Sequence, residues 1–106
     1  MVKHVVLRPA AQRDLDALYA YIRDARGDPA VAIGYLRRIR TFCQGLATLT
    51  LRGHQRDDIR AGLRIVSFER RVVIAFIVDG DTVVIGRVFY GGRDYETLLN
   101  EEPGGF

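Results

Sequence analysis

The sequence predicts an α+β domain with a short N-terminal strand, an antiparallel αα-hairpin, a three-stranded antiparallel β-meander packed on the helices, and a short C-terminal tail. Two observations predict it. The last third of the chain holds apolar runs rich in β-branched and aromatic residues, which tight turns separate. The first half instead repeats apolar residues every three or four positions, the period of a buried helix face. At 106 residues, the chain is expected to form a single domain over residues 1–106.

The N-terminal segment predicts a strand followed by a helix. Val2–Arg8 alternates loosely, with Val5 and Leu7 on one face. Pro9 ends this strand and opens a helix that runs to about Arg26, because proline suits the first helical position, where its missing N–H would have no partner. The apolar face of this helix consists of Leu15, Leu18, Tyr19 and Ile22.

A second helix is predicted directly after the first. Gly27 is a natural residue to end a helix, and Asp28 can cap the next one, with Pro29 at its first position. Cys43 falls on the apolar stripe, so it is expected to be a core residue and not a catalytic thiol. The stripe consists of Ala32, Leu36, Ile39, Cys43 and Leu46, widened by Tyr35, Phe42 and Leu49.

The meander is predicted from three apolar runs. Leu63–Phe68, Val72–Val78 and Val83–Tyr90 read as strands, joined by turns at Glu69–Arg71 and Asp79–Asp81. The middle run is apolar throughout, so both of its faces are expected to be covered. The tail after Tyr90 is expected to be a short helical or extended segment that frays at its end.

Few residues suggest catalysis or metal binding. Thr50–Gly62 is a polar connection that contains His54, and a histidine in a charged loop is usually solvated. Cys43, His4 and His54 do not have metal-ligand spacing, so we expect neither a metal nor another cofactor. The sequence shows no signal-peptide core and no apolar run of membrane length, which predicts a cytoplasmic protein without a membrane partner.

The charged residues favour an anionic partner. The net charge is only +3, but Lys3 is the sole lysine among 16 lysines and arginines. Arginine is suited to bidentate contact with carboxylate or phosphate and to stacking on rings. A genome rich in G and C would also enrich arginine, so composition alone leaves open whether these side chains bind anything.

Four segments in this order carry a resemblance to the ParE/RelE superfamily of small bacterial toxins. These are Leu7–Leu15, Ala30–Leu46, Arg60–Arg64 and Gly86–Asp94, whose last part reads GRVFYGGRD. Together they cover most of the chain and are most similar to the ParE branch. The resemblance implies the toxic half of a type II toxin–antitoxin pair, with a co-encoded ParD-like antitoxin as partner in a higher-order hetero-oligomer.

The resemblance implies two alternative targets. A ParE-like toxin inhibits DNA gyrase by binding, whereas a RelE-like toxin cleaves mRNA in the ribosome. Cleavage needs a base, and RelE-like enzymes commonly carry a tyrosine past the arginine that matches Arg93, where this chain has Leu98 and Leu99. Tyr90 stands where most ParE-like sequences have histidine. Because the tyrosine expected of a ribonuclease is missing, we favour gyrase and assign no catalytic residue, with the ribosome as the alternative and an inactive partner-binding domain as a third possibility.

Two binding surfaces are predicted on this basis. The target is expected at the arginine-bearing edge of the sheet and the tail, and the antitoxin at an apolar face of the central strand with nearby arginines. The target set is Arg64, Arg70, Arg71, Arg87, Tyr90 and Arg93, and the antitoxin set is Val73, Ala75, Ile77, Arg60 and Arg64.

Overall fold

The computed structural model describes residues 4–48 and 52–101. Val2 and Lys3 of the predicted first strand, Leu49 of the second apolar stripe, the start of the Thr50–Gly62 connection and the end of the tail lie outside these ranges. In chain order the elements are β1 (His4–Leu7), α1 (Pro9–Arg26), α2 (Pro29–Gly45), β2 (His54–Gln55), β3 (Arg64–Phe68), β4 (Val72–Asp79), β5 (Thr82–Tyr90) and α3 (Tyr95–Asn100).

The two long helices begin and end as their terminal residues predict. Pro9 occupies the first turn of α1, and Gly27 ends that helix in the left-handed region at φ 67°. The Asp28 carboxylate accepts a hydrogen bond from the amide of Ala30 at 2.9 Å and so caps α2. The predicted helical hairpin is confirmed.

The sheet has five strands in the order β1-β5-β4-β3-β2 within the described ranges. β1 lies parallel to β5, while β3, β4 and β5 form the predicted antiparallel meander. The predicted fold class is confirmed. The sheet is larger than the predicted three-stranded meander, because β1 and β2 add a strand at either edge. β2 was not predicted because two residues are too few to show a strand pattern.

The short strand β2 depends on a glycine. Gly53 precedes it with φ 85°, and a Cβ at that position would clash with the carbonyl oxygen of Ile65 in β3. Only glycine lets the chain approach the sheet this closely. His54, predicted to be a solvated loop residue, is exposed on β2 and pairs in register with Ile65.

Both faces of the sheet are covered, but unequally. α1 and α2 pack on one face, where Ile74 and Phe76 of β4 are fully buried. The other face carries a smaller apolar cluster of Leu63, Ile65, Ala75, Phe89 and Leu99, the last of which belongs to α3. The prediction that both faces of the central strand are covered is confirmed. Cys43 is buried in the larger core, and burial raises the pKa of its thiol to about 11.

Two residues in the turn between β3 and β4 adopt an unfavourable backbone conformation. Glu69 and Arg70 have φ of 50° and 63°, and they are the non-glycine residues with positive φ in the described ranges. A residue with a Cβ costs about 1–2 kcal/mol in this region. The Glu69 carboxylate is held by Arg38 of α2 at 3.1 Å, which fixes the turn against the helices.

Replacing Arg70 with glycine should therefore stabilise the protein. Arg70→Gly is expected to raise the free energy of unfolding by about 1 kcal/mol, because it removes the left-handed strain. This corresponds to roughly 4–8 °C in the thermal midpoint of a domain of this size. Arg71→Gly is the control, since it removes the same charge at a residue without positive φ. The measurement is a thermal melt followed by circular dichroism. If the two variants have equal thermal midpoints, the backbone at residue 70 is not strained.

Candidate functional site

Two cavities share a wall made of two tyrosine rings. Tyr21 of α1 and Tyr90 at the end of β5 touch, with ring centroids 5.8 Å apart and planes inclined by 56°. A cavity of about 370 Å³ lies on one side of this pair and one of about 350 Å³ on the other. Tyr21 is 61% exposed. We call the two cavities and their shared wall the tyrosine cleft.

A largely buried ion pair adjoins the first cavity, which Asp14 lines. The Asp14 carboxylate of α1 accepts hydrogen bonds from Arg87 Nε at 2.7 Å and Nη2 at 3.0 Å. Its Oδ2 also accepts the amide hydrogen of Val88 at 2.9 Å. The side chains of Asp14 and Arg87 are only 12% and 16% exposed. Arg87 also lies over the Phe89 ring, with its guanidinium carbon 4.8 Å from the centroid. Arg87 therefore supports the fold at this point.

The second cavity contains a buried hydroxyl. Tyr35 of α2 packs against Tyr90 with ring centroids 6.3 Å apart, and its hydroxyl oxygen is buried without a hydrogen-bond partner among the described residues. Burial, followed by the neighbouring Tyr90, raises the pKa of Tyr35. Arg38 stacks over the Tyr35 ring at 5.0 Å and binds Glu69, so the carboxylate in this cavity is already engaged.

The tyrosine cleft carries an excess of positive charge. Arg26 and Arg71 line the second cavity and Arg93 lines the first. None of the three has a carboxylate partner within ion-pair distance in the part of the chain that the structure describes. Because Asp14 and Glu69 are both neutralised by other arginines, these three guanidinium groups set the charge of the cleft.

The structure brings together half of the predicted target-binding residues. Arg71, Tyr90 and Arg93 line the cleft, and Arg70 precedes Arg71 in the strained turn. The Arg87 guanidinium donates its hydrogen bonds to the Asp14 carboxylate and does not face the cleft as a free cation. Arg64 lies two strands away on β3, where it pairs in register with Phe76 and Gln55. It does not reach the cleft.

Three of the predicted antitoxin-binding residues, Val73, Ala75 and Ile77, lie on the opposite side of the sheet, whereas Arg64 pairs in register with Phe76 and lies on the face that the helices cover. Ala75 is fully buried in the smaller apolar cluster, whereas Val73 and Ile77 are half-buried beside it. Arg60 and Arg64 are half-buried too, and each has interactions of its own. Ala75 is therefore covered, and the accessible apolar atoms on this face come from Val73 and Ile77.

The helix that covers this face is held by a small polar network. Arg56 donates hydrogen bonds to Asp58 at 2.8 and 3.0 Å, to Glu96 at 3.0 Å and to the Tyr95 hydroxyl at 3.3 Å. The Asp94 carboxylate caps α3 by accepting from the Thr97 amide and hydroxyl, and these hydrogen bonds lower the pKa of Asp94. Buried Leu99 anchors the helix to the sheet.

Sequence reasoning missed part of the cleft. Tyr21 and Arg26 were not singled out, and Tyr35 was interpreted only as an apolar stripe residue. Tyr21 lies off the apolar face of α1, and a large aromatic residue on the solvent side of a helix is a signal that could have identified it. Arg26 carries no such signal, because only the fold places it beside Arg71.

Other kinds of site find little support within residues 4–48 and 52–101. No group of three or more His, Cys, Asp and Glu side chains there is arranged to hold a metal ion. The described helices include none with the length and apolarity of a membrane span.

The chain matches the family model described as the ParE toxin of the type II toxin–antitoxin system parDE over residues 5–95. This protein therefore belongs to the ParE toxin family, as the resemblance of its sequence motifs predicts. Comparison with curated protein sequences finds no match.

Two solved structures have a similar fold. A chain of the chromosomal ParDE toxin–antitoxin system from P. aeruginosa is 24% identical with a TM-score of 0.73, and the match covers 85% of this chain and 97% of that one. A chain of the toxin–antitoxin complex RelBE2 from Mycobacterium tuberculosis is also 24% identical, with a TM-score of 0.60 and coverage of 85% and 99%. These similarities confirm the fold.

The Asp14–Arg87 pair should be essential for stability. Asp14→Ala leaves a half-buried guanidinium and the Val88 amide without their acceptor, so it is expected to lower the free energy of unfolding by about 3 kcal/mol. Asp16→Ala is the matched control, because Asp16 is exposed on the same helix and, among the described residues, accepts a hydrogen bond only from Gln12. Urea denaturation followed by circular dichroism measures both. A difference below about 0.5 kcal/mol, the range of ordinary surface substitutions, would show that the pair is dispensable.

Proposed function

We propose that this protein is the toxin of a type II toxin–antitoxin pair, that it inhibits DNA gyrase and thereby replication by binding, and that a co-encoded antitoxin neutralises it. Membership of the ParE toxin family is the observation that carries the proposal. The composition of the tyrosine cleft adds support, because it combines aromatic rings with arginines that have no carboxylate partner among the described residues.

Binding is favoured over RNA cleavage on chemical grounds. Cleavage by the 2′-hydroxyl needs a group that accepts its proton and another that donates one to the leaving oxygen. The carboxylates of the cleft, Asp14 and Glu69, are already held by arginines. The Tyr35 phenol is protonated at neutral pH, since its ordinary pKa is about 10 and burial raises it further. His54 lies on β2, at the sheet edge opposite to β1.

The proposed target surface is the tyrosine cleft with the adjoining turn. It unites Arg71, Tyr90 and Arg93 with Arg70. Exposed rings and arginines are the side chains that most often dominate binding energies at protein interfaces. This surface does not include Arg87, because its guanidinium is paired with Asp14. It does not include Arg64 either, because that residue lies on β3, two strands away from β5.

The proposed antitoxin surface is the sheet face under α3. A six-residue helix and Ile59 of the preceding connection cover the smaller apolar cluster, and Val73 and Ile77 stay half-buried at its border. Arg60 follows Ile59, which packs against this cluster. Arg64 lies on the other face of β3, in register with Phe76. A disordered acidic segment could bury its apolar side chains here as it folds and place its carboxylates near Arg60.

Gyrase inhibition predicts which synthesis stops first. DNA synthesis, measured by pulse-labelling within minutes of inducing the chain without antitoxin, is expected to fall before protein synthesis. Arg71→Gln with Arg93→Gln should abolish the effect, because it removes two unpaired charges of the cleft. Arg13→Gln with Arg37→Gln makes the same change in charge at exposed arginines that line neither cavity. An earlier fall in protein synthesis would overturn the gyrase proposal in favour of the ribosome.

The antitoxin surface is tested by titration calorimetry with the protein encoded next to this chain. Val73→Thr with Ile77→Thr should weaken binding about tenfold, since each hydroxyl must be desolvated on binding. Val6→Thr with Val78→Thr is the control, because both valines are exposed elsewhere on the sheet. Equal affinities of the two double variants would exclude this face. No binding of the unaltered chain would refute the pairing itself.

A further inference from the structure

The tyrosine cleft has an open aromatic platform. The rings of Tyr21 and Tyr90 are in contact at 5.8 Å, so no flat group fits between them. Tyr21 is nevertheless 61% exposed, so most of its surface is accessible to a flat partner. The cavities on either side, about 370 and 350 Å³, each fall in the size range of small-ligand sites.

Positive charges flank this platform on both sides. Arg93 lies on the side of the first cavity, and Arg26 and Arg71 lie on the side of the second. All three lack a carboxylate partner among the described residues, so they are available to an external anion. The two tyrosine rings therefore lie between Arg93 in one cavity and Arg26 and Arg71 in the other.

The second cavity also contains an unused hydrogen-bonding group. Buried polar atoms almost always have a partner, but the Tyr35 hydroxyl has none among the described residues. Tyr35 lines the cavity together with Arg71 and Glu69. A ligand oxygen or nitrogen that reached this atom from the cavity would satisfy the hydroxyl and remove the cost of its burial.

We propose that the tyrosine cleft binds a single strand of nucleic acid, with a base stacked on Tyr21 and the phosphates held by Arg26, Arg71 and Arg93. Aromatic platforms combined with cations that follow the backbone are how proteins bind single strands without reading their sequence. In a duplex the faces of the bases are covered by their neighbours, so the Tyr21 ring could not stack on them. The inference goes beyond gyrase inhibition and does not depend on it, because binding is measured without gyrase.

The cleft fits a nucleic acid better than an acidic peptide. A peptide carboxylate would use the arginines but would leave the exposed ring face of Tyr21 without a partner. A nucleotide supplies a ring, a phosphate and hydrogen-bonding edges at once. These three parts correspond to the exposed Tyr21 ring, the unpaired arginines and the buried Tyr35 hydroxyl.

The test is fluorescence anisotropy of the purified chain with labelled oligonucleotides. The probes are a ten-nucleotide strand of deoxythymidine, the same length of uridine, and a ten-base-pair DNA duplex, at about 50 mM salt. At least one of the two single strands should bind with an affinity ten or more times that of the duplex. A preference for deoxythymidine or for uridine supports the inference equally and identifies the sugar that the cleft accepts.

Substitutions separate stacking from general attraction between charges. Tyr21→Ala should weaken binding about tenfold, whereas Tyr21→Phe keeps the ring and should stay within about twofold. Arg71→Gln should lower the slope of log affinity against log salt concentration by about one, the contribution of one phosphate contact. Arg37→Gln makes the same change in charge outside the cleft and should leave this slope unchanged. Tyr35→Phe should weaken binding without lowering the thermal midpoint.

Several results would overturn the inference. These are the absence of binding to either single strand, equal affinity for the duplex, or equal effects of Arg71→Gln and Arg37→Gln. Displacement of the strand by a poly-glutamate peptide at similar concentration would indicate a surface for acidic proteins instead. Gyrase supercoiling assays on the same variants keep the two proposals apart, since a variant can lose either property alone.

Discussion

The structure depends on how the open edge of β5 is closed. Within the part of the chain that the structure describes, β1 pairs with Thr82–Ile85, and the chain then turns into α1 after the Arg8 amide donates a hydrogen bond to the carbonyl of Ile85. The remaining half of β5 would expose unpaired backbone groups, which is unfavourable beside a core. Asp14 meets this need by accepting the Val88 amide hydrogen and the Arg87 guanidinium. Because Asp14 fixes α1 against this half of β5, Tyr21, two turns further along the same face of the helix, meets Tyr90 at the strand end. The tyrosine cleft follows from this one carboxylate.

The second constraint is the unequal cover of the sheet. α1 and α2 bury one face with long apolar stripes, whereas the other face has α3 and a short connection. α3 is too short to be stable by itself, so it depends on Leu99 in the apolar cluster and on Arg56 and Asp94 at its start. A β-bulge at Gly86, where Ala75 pairs with Arg87 and Phe76 with Ile85, bends β5 between the two halves of its edge. The side with least cover is the side proposed for the antitoxin.

The sequence predicts the local elements well because their signals are local. Pro9, Gly27 and Asp28 set the helix ends, and the apolar runs from Leu63 to Tyr90 indicate the meander. The site is less predictable, since it is made by residues far apart in the chain. Nothing near Asp14 indicates that it binds Arg87, and an arginine with a buried carboxylate partner looks the same in sequence as an exposed one. Arg87 was therefore counted with Arg71 and Arg93, although only the latter two have no carboxylate partner. Tyr21 and Arg26 enter the site through the packing of α1 and α2 on β5.

The two proposed surfaces lie on opposite faces of the sheet, which raises the question of how a partner on one would silence the other. Arg93 provides a physical connection. It lines the first cavity and immediately precedes Asp94, the cap of α3. Gly91 and Gly92, both with positive φ, join it to β5 and allow the segment to change direction. A partner that displaced α3 from Val73 and Ile77 would move Arg93 away from Phe89, 5.9 Å from its guanidinium carbon, and out of the cleft. Neutralisation would then need no contact between the antitoxin and the tyrosine rings.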